Sequence, residues 1–132
     1  MKIVENERGF ELHIISSLTD NIVTSQGKRY NYKRLVIPNV LMDYFFSKKN
    51  NLVYVYLYFY NGSVFMSFEK LPDLKYSQRR LMKLSNKNSY FINLNERSLS
   101  KHDISISETV LFVIGGKNSL LDSDCISIEL RF

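Results

Sequence analysis

Four cations crowd one short stretch of the chain: Lys28, Arg29, Lys33 and Arg34, interleaved with Tyr30 and Tyr32. A guanidinium fork matches the oxygens of a phosphate or the O6/N7 edge of guanine, and an ammonium meets phosphate as a point charge. The chemistry this set suits is nucleic-acid contact. On one straight strand Arg29 and Lys33 would face one way and Lys28 and Arg34 the other, whereas a loop or bend would let all four converge. Arg79, Arg80 and Lys83 form a second cluster. On a helix Arg79 and Lys83 share a face, with Arg80 one step round. Arg97 and Lys101 repeat the four-residue spacing, and for that pair a solvated helix face is the plainer reading. Tyr54, Tyr56 and Tyr58 line one face of a β-rich run. Sheet aromatics of this kind stack on bases in single-strand binders, but more often they pack a core or an oligomer interface.

Catalytic groups are harder to assemble. Hydrolysis or group transfer needs a nucleophile beside a base, paired carboxylates or a metal cluster. His13, His102 and Cys125 are widely separated and lack metal-ligand spacing. Lys101-His102-Asp103 sets a histidine beside an acid, yet neighbours on a helix point apart, so no relay results. Cys125 alternates with Ile126, an inward residue in this reading, which places a passive thiol toward the surface. Gly115-Gly116-Lys117 lacks the glycine spacing of a phosphate loop and reads as a hairpin turn. The expectation is a chain that is not an enzyme and uses neither cofactor nor metal.

The whole chain must then supply a scaffold for binding. Its 132 residues suit one compact domain, and 45% hydrophobic with 14% aromatic residues argues against disorder. No apolar run reaches the roughly 18–20 residues that cross a bilayer, so no membrane partner is expected. The first eleven residues carry three Glu and lack the basic-then-apolar layout of a signal peptide. A single Cys excludes an internal disulfide and agrees with a reducing compartment, which points to the cytoplasm. Plentiful Asn, Lys, Ser and Tyr with no Trp suggest an AT-rich coding source such as a mobile element. The net charge is +5, and between Lys28 and Lys101 fourteen Lys or Arg stand against four acids. A basic middle with acidic flanks suits a phosphate-facing surface. The solvated surface of a lysine-rich protein would give the same counts.

Periodicity predicts a mainly β protein with short helices. Phe10, Leu12 and Ile14 alternate as in a half-buried strand, and the composition turns polar from Thr19 to Asn31 with Gly27 marking a turn. Arg34 to Ile37 reads as a short strand stopped by Pro38, which then opens a short helix carrying Val40, Leu41, Tyr44 and Phe45. Lys48 to Asn51 reads as a loop. Leu52 to Phe59 and Ser63 to Phe68 flank Asn61-Gly62, the signature of a hairpin with a type I′ turn. The first of these runs is apolar on both faces, as in a central, doubly covered strand. After a break at Pro72-Asp73, Ser77 caps an expected helix from Gln78 to Leu84. Tyr90 to Leu94, Glu96 to His102, Thr109 to Ile114 and Cys125 to Phe132 then read as strand, helix, strand and closing strand. The order strand, helix, hairpin thus occurs twice, with Ile37 set against Leu94, suggesting a barrel-like fold of two pseudo-repeated halves, 28–71 and 88–132.

Arg34-Leu-Val-Ile-Pro38 with Leu41 resembles the Gly-Arg-(apolar)-x-Ile-Pro-x-x-Leu core of AbrB/MraZ-like swapped-hairpin barrels. Phe91-Ile-Asn-Leu94, Leu99, Ile104 and Val110 to Gly115 are similar to the second copy in the tandem, MraZ-type members. The glycine before the arginine is Lys33 here, and in the second copy the Gly-Arg and proline positions fall at Ser89-Tyr90 and Asn95. The resemblance implies interleaved hairpins, a homo-oligomer and DNA contact through basic residues. The leading expectation is a transcriptional regulator that contacts duplex DNA through Lys28, Arg29, Lys33, Arg34, Arg79, Arg80 and Lys83. The alternative is a phage- or plasmid-encoded protein that binds and inhibits a host nucleic-acid-associated factor.

Overall fold

A computed structural model describes residues 1–7, 9–48, 54–60, 62–71, 74–84, 89–115 and 128–132, with the backbone alone for residues 44–48. The strands are β1 Lys2–Asn6, β2 Gly9–Ser25, β3 Lys28–Ile37, β4 Tyr54–Tyr60, β5 Ser63–Ser67, β6 Tyr76–Arg80, β7 Met82–Lys83, β8 Tyr90–Leu94, β9 Thr109–Gly115 and β10 Ile128–Arg131. Among the described residues two short helices interrupt them, α1 Asn39–Lys48 and α2 Glu96–Ser100. The protein is mainly β, as the period-two runs predict.

The pairings are antiparallel throughout and follow the order β6-β4-β5-β10-β9-β2-β3-β8-β7, with β1 added on β2. Only Leu81 separates β6 from β7, and these two strands pair with β4 and β8 respectively. The two ends of the path therefore nearly meet, giving a barrel close to complete.

One apolar cluster fills it. Leu35 and Ile37 from β3, Ile92 and Leu94 from β8, Val55 and Leu57 from β4, Val64 and Met66 from β5, Phe112 from β9 and Ile128 from β10 all point inward. The period-two alternation of these strands aims one side chain in two at the axis. A smaller cluster of Tyr58, Phe65 and Leu71, with Tyr56 and Leu74 against it, covers the outer face of β4–β5. This is the doubly covered strand expected from the run beginning at Leu52.

Local signals hold where the chain is free to obey them. Pro38 precedes α1, and its carbonyl accepts from the Leu41 and Met42 amides. Tyr60 pairs with Ser63 around a turn containing Gly62 at φ +76°; its partner in the expected I′ pair, Asn61, lies outside the described residues. So do Lys49 to Val53, the Pro72-Asp73 break, the turn residues Gly116 to Asn118, and Cys125 to Ser127 of the closing strand. Ile128 and Leu130 are inward as expected.

The expected helix from Gln78 to Leu84 is absent. The segment is β6 and β7, and its burial alternates from Ser77 to Leu81. The exposed backbone edges of β4 and β8 both need hydrogen-bond partners, and this segment supplies them. Helical spacing of Leu81 and Leu84 loses to that demand. The polar run from Thr19 to Asn31 turns at Gly27 as expected, and the strands extend up to that turn: β2 continues through Ser25 and β3 begins at Lys28. Among the described residues, no helix is long and apolar enough to cross a membrane.

Candidate nucleic-acid interface

The β2–β3 hairpin grows out of the barrel. Its two strands pair from Leu18↔Leu35 to Ser25↔Lys28. On one side β9 leaves β2 at Ser17↔Thr109, and on the other β8 leaves β3 at Lys33↔Leu94. Beyond these points the ribbon is two-stranded, an arm of residues 21–32. At its tip Gln26 and Gly27 have φ of +51° and +75°, the two positive values a type I′ turn requires. Its twist suits that of the flanking strands, so the arm continues to the turn without splaying. Between residues 21 and 32 the only charged side chains are Lys28 and Arg29.

The four cations of this segment do not converge. Lys28 and Arg29 are exposed near the tip. Lys33, at the root, donates to Asp20 Oδ1 at 2.5 Å, and that bond raises its ammonium pKa above the ordinary lysine value. The Arg34 guanidinium lies over the Phe91 ring, 4.3 Å from Cζ to the centroid. Its Nη2 donates to Asn21 Oδ1 at 3.3 Å, and Asn21 in turn donates to Asn93 at 2.8 Å. Arg34 Nε is buried without a hydrogen-bond partner among the described residues. Arg34, the arginine of the Ile-Pro motif, is thus committed to packing on β8. Tyr30 and Tyr32 share a face of the arm, their rings stacked at 6.3 Å and 18°.

No family model, curated protein or solved structure matches the chain.

The second cluster is dispersed. Arg79 pairs with Val55 and is half-buried, while Arg80 pairs with Tyr54 and is exposed, because neighbours on a strand face opposite ways. Lys83 lies on β7 opposite Tyr90 and is exposed. The helix face expected for Arg79 and Lys83 does not exist, and β8 stands between β7 and the arm. Two of the three stripe tyrosines are packed: Tyr58 is buried, and Tyr56 meets Tyr76 in an edge contact at 5.4 Å, while Tyr54 is exposed.

Sequence reasoning set Arg97 aside, yet it borders the arm. A cleft of about 360 Å³ lies between the arm and the start of α2, lined by Arg29, Asn31, Tyr32, Glu96 and Arg97 among others. Nothing in the spacing of Arg97 and Lys101 signals this; the β3–β8 pairing brings α2 there. The histidines have structural neighbours. His102 stacks on Phe59 at 4.0 Å and 6°, and His13 Nε2 lies 3.4 Å from the buried Glu11 carboxylate, to which Asn6 also donates. Among the described residues, no group of three or more His, Cys, Asp or Glu is placed to hold a metal.

Proposed function

We propose that this chain binds duplex DNA by laying the β2–β3 arm in the major groove, and acts there as a transcriptional regulator with no catalytic step of its own. A two-stranded ribbon is one of the two elements that the roughly 12 Å major groove admits. The observation that carries the reading is the arm itself, whose charge is confined to Lys28 and Arg29 at the tip. Arg29 suits a guanine edge or a phosphate, and Lys28 a phosphate. Lys33 and Arg34 act as root supports, and Arg80 and Lys83 stand outside the interface.

The test is binding to labelled duplex over a series of salt concentrations, with single-stranded DNA and RNA alongside. Replacing Lys28 and Arg29 by Ala should weaken duplex binding and flatten the salt slope by about two units, one per lost phosphate contact. Unchanged affinity and slope in a folded double variant would remove the proposal.

One feature favours the alternative, an inhibitor that binds a host protein. Among the described residues β1 pairs on one side only, and Ile3 and Phe10 near that edge are 73% and 67% exposed. A free edge with apolar side chains invites strand addition by a partner. The homo-oligomer implied by the family resemblance would compete for the same edge. Both halves contribute to one cluster within the chain, so completing the core does not call for a second copy.

A further inference from the structure

The strand registers repeat. β3 and β8 pair about Leu35↔Ile92, with Lys33↔Leu94 on one side and Ile37↔Tyr90 on the other. Superposing Leu35 on Ile92 brings Ile37 onto Leu94, Pro38 onto Asn95 and Met42 onto Leu99. Each pair does one job: inward strand residue, residue before a helix, buried helix residue. The β4–β5 hairpin pairs Leu57 with Met66, and the β9–β10 hairpin pairs Phe112 with Leu130. β5 and β10 then pair with each other about Phe65↔Glu129.

β2 and the β6–β7 segment obey the same relation. β2 leaves β9 and joins β3 at the buried Leu18. The β6–β7 segment leaves β4 and joins β8 at the buried Leu81. Each half hands a strand to the other, β2 to β9 and β6 to β4. Such reciprocal pairing is what an internal two-fold axis between two copies of one strand–strand–helix–hairpin unit produces.

The arm breaks this relation. In the first copy the ribbon between Leu18 and Leu35 continues to the Gln26-Gly27 turn. In the second the path from Leu81 to Ile92 is shorter, and the Leu84 amide already donates to the Ser89 carbonyl at 2.9 Å. Only four residues remain between Leu84 and Ser89, too few for an arm.

We infer that the chain is an internally duplicated barrel carrying a single arm, and that it recognises a non-palindromic duplex site, one chain per site. The recognition half rests on the proposed DNA reading. Palindromic operators mirror a two-fold axis in the protein that reads them; here the axis lies inside one chain and is broken at the element that enters the groove.

The full chain is used to select sites from a random-sequence duplex pool, and the mass of the complex on the recovered site is measured by light scattering. The expected result is a consensus without two-fold symmetry and one chain per duplex. A palindromic consensus holding two chains would overturn the single-arm inference and leave DNA binding standing. Failure to retain any duplex above the level of the Lys28→Ala/Arg29→Ala variant would overturn both, and it is told apart by the absence of a complex.

Discussion

The Arg34 guanidinium lies over Phe91 and donates to Asn21, so its removal acts first on the fold. Arg34→Ala should lower stability by about 1–2 kcal/mol, combining a lost cation–π contact with a charged hydrogen bond. Urea unfolding checks the figure, and duplex affinity should fall less than in Arg29→Ala. Lys33 has a pKa raised by its bond to Asp20. A lysine with a folded-state pKa above its unfolded value adds stability that is fully present below the unfolded pKa. That stability is lost as pH rises through the folded pKa. The stability difference between the native chain and Asp20→Asn should therefore shrink as pH climbs past the ordinary lysine value of 10.5. Chemical unfolding at stepped alkaline pH reads this directly, and a constant difference would refute it.

At the scale of elements the arm is the least supported part of the described structure. A two-stranded ribbon is marginal by itself, and residues 22–31 have neither β8 nor β9 beside them. Their amides should exchange with solvent faster than those of Leu35 and Ile37. The tip offers a way to tune this. Gln26 holds φ +51°, which Asn tolerates better at the first position of a type I′ turn. Gln26→Asn should slow exchange along the arm by about two-fold, equivalent to about 0.4 kcal/mol. Gly27→Ala should do the opposite, because a Cβ at φ +75° is strained even though nothing lies within 4 Å of it. Both changes should leave exchange in the barrel strands as it was.

For the whole molecule, one cluster binds strands distant in sequence. Phe112 on β9 packs in a core shared with Leu35 on β3, Leu57 on β4 and Ile128 on β10. Phe112→Ala should cost about 3–5 kcal/mol, the range for a buried aromatic truncated to a methyl. The loss should appear as one cooperative transition, with tyrosine fluorescence and far-ultraviolet circular dichroism coinciding. Two separate transitions would mean that the halves hold independent cores, contrary to the single cluster. Many pairings join strands far apart in the chain, such as β2 with β9 and β5 with β10. Such non-local topologies fold on millisecond-to-second timescales.

What the residues settled alone was local. β-rich apolar runs marked β4, β5, β8 and β9, Pro38 marked the start of α1, and the basic segment Lys28 to Arg34 lies on the strand that forms one side of the arm. Each signal lies within a few neighbours, where backbone sterics and period-two burial act directly. Tertiary structure decided the rest. Gln78 to Leu84 became strands because β4 and β8, brought together from separate parts of the chain, left edges needing partners. Arg34 is held over a ring fifty-seven positions on, and Arg97 is brought beside the arm by the β3–β8 pairing. A side chain's partners across a barrel are set by strand register, and register forms only when distant segments meet.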